Sequence, residues 1–298
     1  MNPPLRSLLF CPATAPRPLA KLPSIGADAV AIDLEDAVTN DRKVDARAEL
    51  RAVLPQFADV RTYVRVNHPS TGLTEGDIHG IVHPDLDGIV LPKVESPETV
   101  EAAAGWLAAA ERERGLQVGG TSMLLLIESA LGIHRAVDIL AADERVETGI
   151  FGFVDFMLDL GIDVIDTSDS TEELLLARSS LVLAARVAGR RAPLDGPFID
   201  ISASEQFLVQ CRQARRLGFA GKMLIHPSQV EPTHVGFAPT RDEAEQARRV
   251  VDRFAAAEAE GVAAIVVDGR LVDYPVMMRA RRIVEGYERV AGGLGAAL

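Results

Sequence analysis

The chain has 298 residues, 48% of them hydrophobic and 25% charged, a globular composition that excludes disordered and fibrous classes. Its formal net charge of -12 excludes a broad surface for nucleic acid or an anionic membrane and leaves room only for a local basic pocket. Cys11 and Cys211 form neither a disulfide framework nor a zinc site, no run reaches membrane-spanning length, and the first residues lack a secretory pattern, so a cytoplasmic protein is expected.

In chain order, short apolar runs alternate with helical patterns. Strands are expected at 7–10, 29–34, 62–67, 88–92, 123–127, 149–154, 197–201 and 222–226, and helices at 42–54, 97–114, 133–142, 170–188 and 204–217. Ser96 followed by Pro97 and Glu98 is a good helix start. Parallel neighbours need a crossover, normally a right-handed helical one, and eight such units predict an α/β protein with a closed (β/α)8 or TIM barrel. A doubly wound sheet would carry a glycine-rich phosphate turn after the first strand. Here Cys11-Pro-Ala-Thr-Ala-Pro16 follows instead, and Gly218-Phe-Ala-Gly-Lys222 has the wrong spacing for a P-loop.

Beyond 226 the pattern predicts a helix at 240–260, a strand-like run at 263–267 and a helix at 276–290. A barrel that already has eight strands has little room for them. The expectation is a single barrel domain over 1–298 whose C-terminal helical extension, from about 236 to 298, packs on a neighbouring subunit. The long connection from 155 to 197 carries Asp159, Asp163, Asp166 and Asp169, which reads as a solvated loop or a lid.

In such barrels chemistry collects at the C-terminal ends of the strands. The polar residues closing the expected runs are Asp33, Glu35 and Asp36, then Arg65 and Asn67, Lys93 and Glu95, Glu128, Asp155, Asp200 and His226. Glu128 and Asp155 lie 27 residues apart, enough for one helical crossover, so both can emerge on one edge of a parallel sheet, as a hard-metal site or as a pair of solvated acids. So many acids in one mouth would repel without a cation, and oxygen ligands with few histidines favour Mg²⁺ or Mn²⁺. Arg65, on an apolar strand, needs an anion: a substrate carboxylate, or a salt bridge to Asp33 or Glu35. His226 fits a shaped turn before Pro227 as well as it fits a ligand. Lys93 raises a Schiff-base alternative, disfavoured because surrounding carboxylates would keep it protonated.

Arg6-Ser-Leu-Leu-Phe10 with Pro12, Gly26-Ala-Asp-Ala-Val-Ala-Ile-Asp-Leu-Glu-Asp-Ala-Val38, Val64-Arg-Val-Asn67, Gly88-Ile-Val-Leu-Pro-Lys-Val-Glu95, Ile127-Glu-Ser-Ala-Leu-Gly132, Ile225-His-Pro-Ser-Gln229 and Val267-Asp-Gly-Arg-Leu-Val-Asp273 follow one another over nearly the whole chain. Together they resemble the HpcH/HpaI aldolase superfamily, most closely its citrate lyase β-subunit-like branch. The resemblance implies a homotrimeric or hexameric barrel that uses Mg²⁺ to cleave or form carbon–carbon bonds beside a carboxylate or thioester. It implies Glu128 and Asp155 as metal ligands and Arg65 as the holder of the substrate carboxylate. It also implies Asp273 as an acid/base delivered to a neighbouring subunit, and Arg17 and Lys21 beside the phosphates of CoA. If the neighbouring subunit does not reach, proton transfer falls to Asp36 or to a metal-bound water. Asp33 and His226 complete the expected substrate-binding set. Ala13 stands where many relatives have glycine, and Val154 where they often have an acid.

The readings that follow are a lyase acting on malyl-CoA, citramalyl-CoA or citryl-CoA, and a free-acid aldolase yielding pyruvate or oxaloacetate. A subunit acting on an acyl-carrier-protein thioester is a close relative of the first. A non-catalytic barrel that binds a small acid is the reading of another class.

Overall fold

A computed structural model of the chain describes residues 4–163 and 172–295. Strands β1 (Ser7–Pro12), β2 (Ala29–Asp33), β3 (Thr62–Arg65), β4 (Gly88–Leu91), β5 (Ser122–Ile127), β6 (Val146–Phe151), β7 (Leu194–Asp195) and β8 (Gly221–Leu224) close in that order into a parallel barrel, β8 returning to pair with β1. Strands buried on both faces read as continuous apolar runs, as Met123 to Ile127 does. Leu8, Ala31, Tyr63, Val90, Leu126 and Ile150 belong to one packed cluster. A polar network ties three of the strands together: the Tyr63 hydroxyl and Ser122 Oγ each donate to Glu147 Oε1 at 2.6 Å, and Arg61 pairs with the other oxygen.

Two expected strands move. Residues 197–201 do not form the seventh; Leu194 and Asp195 do, pairing with Ile150 on one side and with Gly221 and Lys222 on the other. Pro193 and Pro197 flank this pair and have no N–H to give a ladder, which holds β7 to two residues. Asp200 is therefore not at a strand end; it sits in an exposed turn, accepting from the Ser202 amide at 2.9 Å and its hydroxyl at 2.6 Å. The sixth strand begins earlier than expected and stops at Phe151, where Gly152 donates to the Ile127 carbonyl at 3.0 Å. Asp155 consequently lies in the first turn of the helix Phe153–Asp159.

The outer helices largely follow the expected pattern. Helices Lys43–Val53, Pro97–Glu113 and Ser204–Leu217 form where expected, the stretch expected at 133–142 divides into Ala130–His134 and Ala136–Ala141, and that expected at 170–188 appears as Leu175–Val187. Residues 170 and 171 of that expected helix, and the acids Asp166 and Asp169, lie outside the described residues. Asp159 accepts the Ala130 amide at 2.7 Å and so ties two connections together. A further helix, Thr74–Ile81, escaped the sequence reading because Gly76 and Gly80 weaken its pattern.

Glu111, at the end of helix Pro97–Glu113, is 1% exposed and takes Arg145 Nη1 and Nη2 at 2.9 and 2.6 Å and the amides of Gly119 and Thr121 at 2.8 Å each. Burial works to raise its pKa, but Arg145 and the two amides outweigh it and bring the group down to about 2. A depressed carboxylate stabilises fully above its ordinary value of 4.5 and loses that contribution as the pH falls toward about 2. Glu111→Gln is expected to cost about 1–3 kcal/mol at pH 7. It should also flatten the fall in urea midpoint between pH 4.5 and 2.

The chain separates into two compact units, Met1–His234 and Val235–Leu298. The second has its own small core of Phe254, Val267, Val272 and Met277. Its helix Arg241–Ala259 starts at a reciprocal cap: Thr240 Oγ1 accepts the Glu243 amide and Glu243 Oε2 accepts the Thr240 amide. A hairpin follows, β9 (Ile265–Val267) against β10 (Arg270–Val272), and then the helix Tyr274–Gly295. Asp268 and Gly269 both take positive φ, +50° and +76°, as a tight two-residue hairpin turn requires. Among the described residues no helix is long and apolar enough to cross a membrane.

Candidate active site

Parallel register places Asp33, at the end of β2, opposite Arg65, at the end of β3. The Asp33 carboxylate accepts the amides of Glu35 and Ala37 at 2.8 and 3.1 Å, which coils residues 34–37 into a turn. The same carboxylate takes Arg65 Nε and Nη2 at 2.7 and 2.6 Å. Arg65 Nη1 lies 3.0 Å from Glu35 Oε2 and 3.4 Å from Asp36 Oδ2. Burial works against the guanidinium's charge, yet these acids hold it firmly protonated. Glu35 Oε2 is buried and makes no hydrogen bond, so it meets Arg65 through charge alone. Of the two partners expected for Arg65, the salt bridge is present, and it occupies the Nε/Nη2 edge.

Lys93, two residues past β4, has φ of +51°, a left-handed conformation that costs a side-chain-bearing residue about 1–2 kcal/mol. That backbone aims the Lys93 N–H at Glu128 Oε1, 2.8 Å away. Its Nζ stands 3.0 Å from Glu35 Oε1, 3.5 Å from Asp36 Oδ1 and 4.0 Å from Asp155 Oδ1. Burial disfavours the ammonium, but Glu35, Asp36 and Asp155 more than offset it and keep Lys93 charged, so it is not poised as an imine-forming nucleophile.

Glu128, just after β5, is 4% exposed, and burial first, then Asp155 and Glu35, drive its pKa well above the usual carboxylate value. Gly152 makes room for it, since a Cβ there would collide with the Glu128 side chain. Asp155 is half-buried at the same mouth. Two oxygen-donor carboxylates, one buried and crowded by like charge, match a hard cation such as Mg²⁺, which typically takes one or two carboxylates plus water and substrate oxygens. Among the described residues no three His, Cys, Asp or Glu side chains converge as a ready-made metal cage. The donor set thus fits an ion that shares its shell with substrate.

A cleft of about 440 Å³ runs beside β1 and the turn after β8, and its lining includes Arg17, Lys21, His226, Phe10 and Pro12. Phe10 links it to the acids, because the Arg65 guanidinium carbon lies 5.6 Å from the centre of its ring. Arg17 and Lys21 are exposed basic side chains in this cleft. His226 caps the turn Pro227–Gln229: its Nδ1 lies 2.8 Å from Ser228 Oγ, and Gln229 Oε1 accepts the His226 amide at 3.3 Å. Cys11 lines the cleft too, but burial, with Asp33 adding, pushes its thiol up to about 11, which disfavours the thiolate.

The structure therefore gathers Glu35, Asp36, Glu128 and Asp155 around Lys93, joins Asp33 and Arg65 to them through Glu35 and Asp36, and sets Arg17, Lys21 and His226 around one cleft. Asp273 belongs to the second unit, where its Oδ1 accepts the Val276 amide at 3.2 Å and starts the last helix. Asn67 is fully buried and bonded to Asp77 and Lys43, supporting the site from behind. Sequence reasoning passed over Lys43. Its signal was a lysine in the first turn of a helix, where the dipole disfavours a cation.

The HpcH/HpaI aldolase/citrate lyase family profile matches residues 6–227. The chain is 35% identical to citrate lyase subunit beta of Escherichia coli (strain K12), over 95% of this chain and 93% of that one. It is 32% identical to the L-malyl-CoA/beta-methylmalyl-CoA lyase of Cereibacter sphaeroides (strain ATCC 17029), over 97% and 96% respectively. Its fold superposes with a TM-score of 0.82 on CitE from Mycobacterium tuberculosis, solved with magnesium, acetoacetate and coenzyme A, at 29% identity and covering 97% of this chain and 100% of that one.

Proposed function

Because the chain belongs to the HpcH/HpaI aldolase/citrate lyase family, we propose that it is a Mg²⁺-dependent carbon–carbon lyase that cleaves or forms a 3-hydroxy-acyl-CoA thioester of the malyl-, citramalyl- or citryl-CoA kind. The observation that carries this reading is the adjacency of a basic cleft to a buried acid cluster, joined through Phe10. Arg17 and Lys21 supply positive charge for CoA phosphates, and the acyl end reaches the mouth where Glu128 and Asp155 are the metal ligands. Arg65 is the holder of the substrate carboxylate; Asp33 occupies its Nε/Nη2 edge, so the substrate must share or displace the contacts of Nη1 with Glu35 and Asp36.

In the cleavage direction a base takes the proton of the 3-hydroxyl and the C3 carbonyl forms as the C2–C3 bond breaks. The electron pair passes to the thioester as an enolate, which is then protonated at C2. Mg²⁺ held by Glu128 and Asp155 supplies Lewis-acid stabilisation of the developing oxyanion. The base is Asp273 of a neighbouring copy in a homo-oligomer, or the exposed Asp36 of the same copy. Val266, Leu271, Val276 and Met278 are exposed apolar residues of the second unit, which suits packing of that unit on a neighbour. The free, buried Cys11 and Cys211 suit a reducing cytoplasm.

The test is turnover of malyl-CoA, citramalyl-CoA, citryl-CoA and 4-hydroxy-2-oxo acids with EDTA or with added Mg²⁺. Thioester cleavage that needs the metal is expected, and Arg17→Ala with Lys21→Ala should raise KM for the thioester by about tenfold with little change in kcat, since each phosphate contact is a modest, solvent-screened one. Turnover confined to the free acids would move the assignment to a pyruvate-forming aldolase. Acid binding without any turnover would leave a non-catalytic barrel.

A further inference from the structure

Helix Lys43–Val53 opens on a residue that two physical rules oppose. A helix N-terminus disfavours a cation, and Lys43 is only 7% exposed, so its ammonium is taken out of water. The three acceptors of its Nζ are uncharged: the carbonyls of Leu34 and Glu35 at 3.1 and 2.7 Å, and Asn67 Oδ1 at 2.6 Å. Two of these belong to the turn that presents Glu35 and Asp36 to Arg65 and Lys93. Asp33 grips the N–H groups of that turn, and Lys43 grips its carbonyls.

The grip is braced from behind. The Asn67 amide and Nδ2 donate to Asp77 Oδ2 at 2.9 and 2.7 Å, and Arg47 Nε donates to Asp77 Oδ1 at 2.9 Å. Gly76 and Gly80 leave a bare track for Arg47: a Cβ at 76 would stand 2.8 Å from its Nη1, and one at 80 would overlap its stem. Lys43 and Arg47, one helical turn apart, thus lock the acid turn, the end of β3 and helix Thr74–Ile81 into one hydrogen-bonded unit.

We propose that Lys43 is a positioning residue for the reaction: it fixes the 34–37 turn so that Glu35 and Asp36 face Arg65 and Lys93. The inference rests on the lyase reading for its link to turnover, and on geometry alone for its link to the turn.

The test compares Lys43→Met and Lys43→Ala with the wild-type full chain. In Lys43→Met, kcat for thioester cleavage is expected to fall about 30- to 100-fold while KM changes less than about threefold, because the cleft is built from other loops. The amides of Glu35 and Ala37 should exchange at least about tenfold faster, with those of β5 unchanged. Propylammonium, which replaces the missing stem and charge, should restore both kcat and the protection of these two amides in Lys43→Ala. Uniformly faster exchange including β5, with no rescue, would make Lys43 a general stability residue and overturn the proposal, as would an unaltered kcat in Lys43→Met. If the wild type turns over no substrate, the lyase reading fails on its own, and protection of the Glu35 and Ala37 amides with its propylammonium rescue still decides what Lys43 does.

Discussion

Glu128→Gln is expected to lower kcat/KM for thioester cleavage on the order of 10³-fold and to remove its dependence on Mg²⁺, since a metal ligand and Lewis-acid help worth several kcal/mol go together. The change is nearly isosteric. The amide oxygen still accepts the Lys93 N–H, and Gly152 still leaves the same space. Burial, Asp155 and Glu35 all disfavour the charged carboxylate, so removing its charge should leave the thermal midpoint in EDTA unchanged or raised. Titration calorimetry with Mg²⁺ alone gives a second readout. Wild-type-like Mg²⁺ affinity and metal-dependent turnover in Glu128→Gln would sink the assignment of Glu128 as a ligand.

Arg65→Met is expected to cost about 3–5 kcal/mol of stability, the loss typical of removing one partner of a buried ion pair, and to abolish turnover. Arg65 is 8% exposed, and Asp33, Glu35 and Asp36 all lean on its charge. Burial already raises the Glu35 pKa and the Arg65 charge is what chiefly opposes it, so without Arg65 that pKa rises further, and folding of the variant should suffer most at neutral pH and recover part of the deficit as Glu35 protonates at lower pH. The deficit is read from urea midpoints of variant and wild type at pH 5 and pH 8. Asp33→Asn in the Arg65→Met background should then be less costly than in the wild type, because the orphaned charge is already the problem. Full additivity, or a loss under about 1 kcal/mol, would contradict the ion-pair account.

The expected strand at 197–201 shows why part of the fold was illegible. Pro197-Phe-Ile-Asp-Ile201 has strand composition, but Ile199 and Ile201 are 42% and 52% exposed, while the two-residue pairing at Leu194 and Asp195 is what closes the barrel. Buried Asp195 is held by Arg178 and Lys222, at 2.9 and 2.7 Å, so the strand carries an ion cluster where an apolar run would have announced it. Asp155 was expected to close a strand at 149–154, but the strand ends at Phe151 and Asp155 lies in the first turn of the helix Phe153–Asp159, whose start directly follows the strand end.

By itself the sequence determined the architecture and the residue types at the mouth. Runs such as Gly88 to Leu91 and Met123 to Ile127 can be satisfied only when buried on both faces, parallel neighbours need helical crossovers, and polar residues closing such strands collect on one rim. Only the tertiary structure decided the pairings within that rim: Arg65 on Asp33, the left-handed Lys93 with its N–H on Glu128, the Phe10 bridge to the cleft, and Lys43 beneath the acid turn. The reason is physical. A strand-end residue's type is set by its own segment, whereas its partner is set by strand register and by backbone angles many residues away, which local composition does not encode.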